Sequence, residues 1–178
     1  MNKPIDSGRL LEYSRLIESI SMDRLHALVD AIRTTAERGS HIFVCGNGGS
    51  CANAAHLVLH LRELLIRSSD LTADIAFLTA AANDGTYDAV FSAGLHANAV
   101  PGDRLVVISG SGNSKNIIQG LETANCLGLR TMGLLGFSGG QALKLCDIAL
   151  IVDSSEYGPV EVAHDACIHL IKELLMAS

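Results

Sequence analysis

Apolar residues recur at helical spacing through residues 8–38 and form two stripes. Leu10, Leu11, Leu16, Ile17 and Ile20 make the first, and Leu25, Leu28, Val29 and Ile32 the second. Ser21 stands where the second helix needs an N-cap, and Gly39 stands where it should stop. Beyond Gly39 the period changes. His41 to Cys45 is a short apolar strand that runs into Gly46-Asn47-Gly48-Gly49-Ser50, and a helical run with Ala52, Ala55, Leu57, Val58 and Leu61 follows. Arg104 to Ser109 is a second clear strand, Gly110 to Ser114 its loop, and Lys115 to Leu127 a helix ended by Gly128. Next come a strand over Arg130 to Leu135, a turn at Gly136 to Gly140 and a short helix over Gln141 to Leu145. Asp147 to Val152 is the last strand, and the pattern is helical again from about Val160 to Met176. Between the first two clear strands the pattern is weaker. Leu65 to Leu71 reads as a strand, Thr72 as the cap of a helix over Ala73 to Ala82, Asn83-Asp84-Gly85 as a break, and Tyr87 to Ala99 as a further helix.

Strands alternating with helices imply βαβ units and a parallel sheet. The expected fold is therefore α/β: a single three-layer αβα sandwich with four to five parallel strands. Two N-terminal helices, residues 1–38, precede an α/β core over residues 39–178. Those two helices either cover the core or bundle with copies of themselves.

Composition narrows the function. Hydrophobic residues are 48% and charged residues 18% of the 178, which excludes disorder for most of the chain. Thirteen basic against nineteen acidic residues give −6, so there is no basic surplus to bind nucleic acid directly. A small anionic ligand stays open, because helix N-termini bind phosphate without net positive charge. The five cysteines show no pairing pattern, and no apolar run suits a signal peptide or a membrane span. The expectation is a cytoplasmic protein with reduced thiols.

In an open α/β sheet, ligands sit at the carboxyl ends of the strands. Two loops rich in Gly and Ser occupy that position: Asn47, Gly48, Gly49 and Ser50 after the first strand, and Ser109, Gly110, Ser111 and Ser114 after the second. Glycines let backbone amides turn inward, serines add neutral donors, and the following helices present unpaired N–H groups. Neither loop has the dinucleotide fingerprint or a Walker-type lysine, so a phosphorylated small molecule fits better than a nucleotide. His56 and His60, four apart on a helix, share a face and can share one metal ion. Glu161, His164, Asp165 and His169 follow on the last helix; Glu161 and His169 are about 12 Å apart along it, too far for one ion on a regular segment. His41 and His96 read as ordinary surface histidines.

Read together, these motifs resemble the sugar isomerase (SIS) domain family, and most closely its phosphoheptose isomerase branch. The resemblance rests on Cys45-Gly-Asn-Gly-Gly-Ser50 with His56, Asn83-Asp84, Ser109-Gly-Ser-Gly-Asn-Ser114, Gly136-Phe-Ser-Gly-Gly140, and Glu156-Tyr-Gly-Pro-Val-Glu161 with His164 and His169. It implies a flavodoxin-like sheet and a homotetramer with active sites built between subunits. It also implies an aldose–ketose isomerase converting sedoheptulose 7-phosphate to D-glycero-D-manno-heptose 7-phosphate for surface polysaccharide. By the same resemblance Ser50, Ser109, Ser111 and Ser114 hold the phosphate, Asn47 and Asp84 hold sugar hydroxyls, and His169 is catalytic.

The chain departs from the family pattern at four positions. The catalytic Glu four residues after the first helix histidine is His60, a basic residue four positions further is Leu64, an acidic residue is Gly158, and the Gln of the metal set is Glu161. His56, His60, Glu161 and His169 are all competent ligands for Zn²⁺ or another divalent metal. The expectation is that His56 and His60 bind it, with Glu161 and His169 completing the set from the tetramer. His60, His169 and Glu161 are the candidate proton-transfer groups; if His60 is a ligand, the base is Glu161 or His169. Two alternatives stand beside this reading: a non-catalytic SIS assembly protein, and an isomerase of another sugar phosphate.

Overall fold

The computed structural model describes residues 7–177. Residues 1–6 of the N-terminal helical segment and residue 178 of the core lie outside the described residues. The elements are α1 (Ser7–Glu18), α2 (Met22–Glu37), β1 (Ile42–Gly46), α3 (Gly49–Glu63), β2 (Ser68–Asp70), α4 (Ile75–Asp84), α5 (Val90–Asn98), β3 (Arg104–Ser109), α6 (Lys115–Cys126), β4 (Arg130–Gly136), β5 (Ile148–Val152) and α7 (Tyr157–Met176). Among the described residues the five strands are all parallel, in the order β2-β1-β3-β4-β5.

The central strands β1, β3 and β4 are buried on both faces, which is why they read as largely apolar runs. Successive side chains alternate between faces. Ile42 and Val44 of β1, with Val106 and Ile108 of β3, join α2, α3 and α7 in one core. Phe43 and Cys45, with Leu105 and Val107, join α5 and α6 in the other. The leading segment divides unequally. Helix α2 buries Leu25, Leu28, Val29 and Ile32 in the first core, whereas α1 has no fully buried residue. All five cysteines are free. Among the described residues no helix is long and apolar enough to cross a membrane.

Several boundaries differ from the sequence-based expectation, each for a local reason. Ser21 caps α2 as expected, its hydroxyl accepting from the Arg24 amide at 3.4 Å. Helix α4 is capped by Asp74, which accepts from the Phe77 amide; Thr72 instead donates its hydroxyl to Asp70 at 2.7 Å. The stretch from Tyr87 is a single 3₁₀ turn through Ala89 before α5 begins. Helix α7 starts at Tyr157, three residues before Val160, with Pro159 in its first turn, where a missing N–H costs nothing.

Candidate functional site

Strands β1 and β3 are neighbours, paired from Ile42↔Arg104 to Gly46↔Ile108. Their C-terminal loops therefore open side by side at the end of the sheet. Asn47, Ser50, Ser109, Gly110, Ser111, Ser114 and Glu161 line one small pocket of about 80 Å³, with Tyr157 and Ile108. Gly48 and Gly49 form the start of α3 beside it. Helix α6 begins at Lys115, directly after Ser114, so two helix N-termini flank the pocket and favour an anion.

The loops are held from outside. The Ser109 hydroxyl accepts from the Gly112 amide at 3.1 Å. The Ala142 amide donates to the Gly112 carbonyl at 3.0 Å, and the Gln141 amide to Asn113 Oδ1 at 3.0 Å. Gly112 has φ +64°, and a Cβ there would stand 2.0 Å from the Gly139 carbonyl oxygen, so only glycine fits. Asn47 makes a reciprocal amide pair with Asn116, 2.9 Å each way, and accepts from the Tyr87 hydroxyl at 2.9 Å. That bond ties the turn after Asp84 to the first loop. Asn83 and Asp84 are exposed, bonded to each other at 3.0 Å, and do not line the pocket of this chain.

Helices α3 and α7 pack side by side and create a second constellation further along. His56, His60 and His169 each offer a ring nitrogen, and these atoms lie within 4.8 Å of one another. The ring centroids are 4.4, 4.8 and 5.2 Å apart. His169 thus joins the pair within one chain, where the sequence placed it across the tetramer. Glu161 is not in this group: its carboxylate sits against Gly49, where a Cβ would lie 2.3–2.4 Å from it, and its carbonyl accepts from Asn53 Nδ2 at 2.9 Å.

Two carboxylates back the histidines. Asp165 Oδ1 lies 2.7 Å from His56 Nδ1, and Glu63 Oε2 lies 3.1 Å from His60 Nδ1. Lys172 Nζ reaches the same Glu63 oxygen at 2.6 Å. The hydrogen bond from Lys172, then that from His60, holds the Glu63 carboxyl below the usual carboxylate range. His60 Nε2 is buried and has no hydrogen-bond partner among the described residues. An orphaned, buried lone pair beside two further imidazoles is an arrangement that a divalent cation satisfies. The donor set fits zinc in type, and Zn–N bonds of about 2.0–2.1 Å would draw the rings somewhat closer.

His164, also on α7, is a separate case. It is fully buried, makes only a weak approach to the Leu135 carbonyl, and burial lowers its pKa to about 4. It is a neutral core residue. Sequence reasoning missed the contributions of Asn116, Tyr87, Tyr157, Glu63 and Lys172, and gave Asp165 no role. Asp165 alone carried a signal, since it lies four residues from both Glu161 and His169 on one helix face.

Comparison with known proteins agrees with this layout. The SIS domain model matches residues 10–136. A probable phosphoheptose isomerase of Thermoplasma volcanium is 37% identical over 176 residues, covering 92% of this chain and 90% of the relative. The phosphoheptose isomerase of Mycobacterium tuberculosis is 36% identical over 164 residues, covering 89% and 84%. Among solved structures, phosphoheptose isomerase from Neisseria gonorrhoeae superposes with a TM-score of 0.93 at 28% identity, over 97% of each chain. With the paired serine loops, the parallel sheet and the family match over most of its length, the chain belongs to the SIS domain family, within its phosphoheptose isomerase branch.

Proposed function

We propose that this isomerase interconverts sedoheptulose 7-phosphate and D-glycero-D-manno-heptose 7-phosphate. The observation that carries the reading is the distance between two chemistries on one helix. Ser50, at the anion pocket, and His56, in the histidine group, are about 9 Å apart along α3. A seven-carbon chain held by its terminal phosphate spans such a gap and brings C1 and C2 to the histidines. The relatives' names, phosphoheptose isomerases, support a phosphoheptose as the substrate class.

In this reading the hydroxyls of Ser50, Ser109, Ser111 and Ser114 and the amides at Gly48, Gly49 and Gly110 hold the phosphate. Asn47, with Asn83 and Asp84 on the turn tied to it, meets the sugar hydroxyls. His56, His60 and His169 would hold Zn²⁺, which would supply Lewis-acid polarisation of the substrate carbonyl. With three histidines engaged, the side chain left to move the carbon-bound proton is Glu161, whose carboxylate lines the anion pocket and lies against Gly49, where α3 begins its run toward the histidines. Its carboxylate takes a proton from C1 of the ketose and returns it to C2. The hydroxyl proton crosses from O1 to O2, and the carbonyl shifts from C2 to C1 through an enediolate.

The tetramer belongs to this proposal and has its own support. Leu10 is 73% exposed on α1, Ile75 70% on α4 and Leu65 93%, and neither α1 nor α4 has a fully buried residue in the single chain. Such surfaces are what an assembly covers. A cytoplasmic location follows from the substrate class.

The decisive experiment incubates purified protein with sedoheptulose 7-phosphate and follows the aldose by NMR, with and without chelator. Wild type should form the aldose and His56→Ala/His60→Ala should not. No aldose from metal-replete wild type would overturn the reading. Light scattering should give four times the chain mass; a monomer at micromolar concentration would refute the shared assembly. Elemental analysis after a zinc soak and desalting should find metal in wild type and little in the double variant.

A further inference from the structure

We propose that Asp165 and Glu63 are positioning residues that select the tautomer of His56 and His60, so that each ring presents its Nε2 lone pair to a divalent ion. The inference rests on the reading that the three histidines hold such an ion, and it assigns a role to two residues outside that set.

A neutral imidazole has one N–H and one lone pair, and the partner of one nitrogen decides which is which. An ionised carboxylate only accepts hydrogen bonds. The nitrogen facing it must therefore carry the proton. Asp165 Oδ1 faces His56 Nδ1 at 2.7 Å, and Glu63 Oε2 faces His60 Nδ1 at 3.1 Å. Both rings are thereby left with the lone pair on Nε2. For His60 the consequence is visible, since its Nε2 is buried with no hydrogen-bond partner among the described residues. Water or a donor side chain would normally fill that role; here the neighbouring groups are two more imidazoles, at centroid distances of 4.4 and 5.2 Å.

The two carboxylates are themselves located by different means. Glu63 is on the same helix as His60, three residues on, and Lys172 of α7 bonds it at 2.6 Å. Asp165 is on α7 and bonds His56 across the helix pair, while its other oxygen stands 4.0 Å from His169 Nε2, one turn along its own helix. Each carboxylate therefore spans from one helix to the other, directly or through Lys172. The orientation of the rings is thus set from both helices, while the α3–α7 packing itself rests on apolar residues such as Leu57, Leu61, Ala163 and Ile168.

Asp165→Asn and Glu63→Gln test this, because an amide can donate to Nδ1 and so favour the Nε2–H tautomer, at nearly unchanged volume. Long-range ¹⁵N NMR of the metal-free full chain reads the tautomers directly. Wild type should show His56 and His60 protonated at Nδ1, and each variant should lose that signature at its own histidine. Zinc affinity, measured against a chromophoric chelator, should fall roughly 10–100-fold in each variant, with an unchanged melting temperature for the metal-free protein. Asp165→Glu, which keeps the acceptor, should recover part of the affinity. Nε2–H tautomers in wild type, or zinc affinity unchanged in both variants, would overturn the proposal. Wild type that binds no zinc yet keeps both Nδ1–H tautomers would instead overturn the metal reading and leave the tautomer assignment standing.

Discussion

Replacing Gly49 by alanine should separate catalysis from stability. The added Cβ would stand 2.3 Å from Glu161 Cδ and 2.4 Å from both carboxylate oxygens. Ordinary van der Waals contact begins about 1 Å further out, so the carboxylate must retreat by about that much. The atoms in the way are the end of a flexible side chain, and rotation of Glu161 clears them without moving backbone. Gly49 opens α3 and is not among the residues with positive φ, so alanine suits it and gains up to about 1 kcal/mol of helix propensity. Misplacing a reacting group by about 1 Å costs on the order of 10²-fold in rate. Gly49→Ala should therefore melt at or slightly above the wild-type temperature while kcat falls about 100-fold. The assay is aldose formation from sedoheptulose 7-phosphate, with calorimetry on the same preparations. A double-mutant cycle supplies the refutation. On a Glu161→Gln background, Gly49→Ala should cost almost nothing more, because its target is already disabled. Full activity in Gly49→Ala, or a further 100-fold loss on that background, would show that Glu161 is not the group through which position 49 acts.

Three other outcomes follow from particular contacts. Ser111→Ala should weaken phosphosugar binding by about 0.5–1.5 kcal/mol without unfolding the chain; calorimetric titration with unchanged affinity would remove this hydroxyl from the anion pocket. Gly112→Ala, by contrast, meets backbone at φ +64° and should cost at least about 1–3 kcal/mol, seen as a clear drop in melting temperature. The pH dependence of stability should carry the mark of His164, whose folded pKa of about 4 lies below its ordinary 6.5. The unfolded chain then binds the extra proton first, so stability is full above about pH 6.5 and declines as pH falls toward 4, by about 3 kcal/mol in all. His164→Leu should flatten that decline in denaturant titrations, and an equal slope in the variant would assign the decline to other groups.

The sheet is legible in the sequence because its central strands are buried on both faces. Arg104–Ser109 is an unbroken run of residues that are all buried, and its limits match the expectation residue for residue. Strand β2 is only three residues long at the sheet edge, with one buried position, so its signal is weak and its expected span too long. The serine loops are legible for a related reason: their composition is itself the chemistry, and parallel βα connections force them to one end of the sheet. The histidine group is less so. His56 and His60 share a helix and declare themselves by spacing, but the arrival of His169 depends on how α7 lies against α3. No local pattern encodes that packing. The Asn47–Asn116 pair joins residues sixty-nine positions apart through the adjacency of β1 and β3, which is likewise a property of topology.

The pairing of β1 with β3 also divides the site into two parts with different freedom to change. The serine loops hang from adjacent strands whose separation is set by main-chain hydrogen bonds at about 4.8 Å. No side-chain substitution can widen or narrow that socket much, and under the proposed function its serines would ask of their guest only a terminal phosphate. The other end is a seam between two helices, where one altered residue on α3 or α7 moves the jaw against the socket. Under the proposed function, chain length and stereochemistry of the sugar would therefore be read chiefly at the helix seam. Variants selected for a shorter or longer phosphosugar should accumulate changes on the facing sides of α3 and α7, and leave the serines and glycines of the loops at 46–50 and 109–114 untouched.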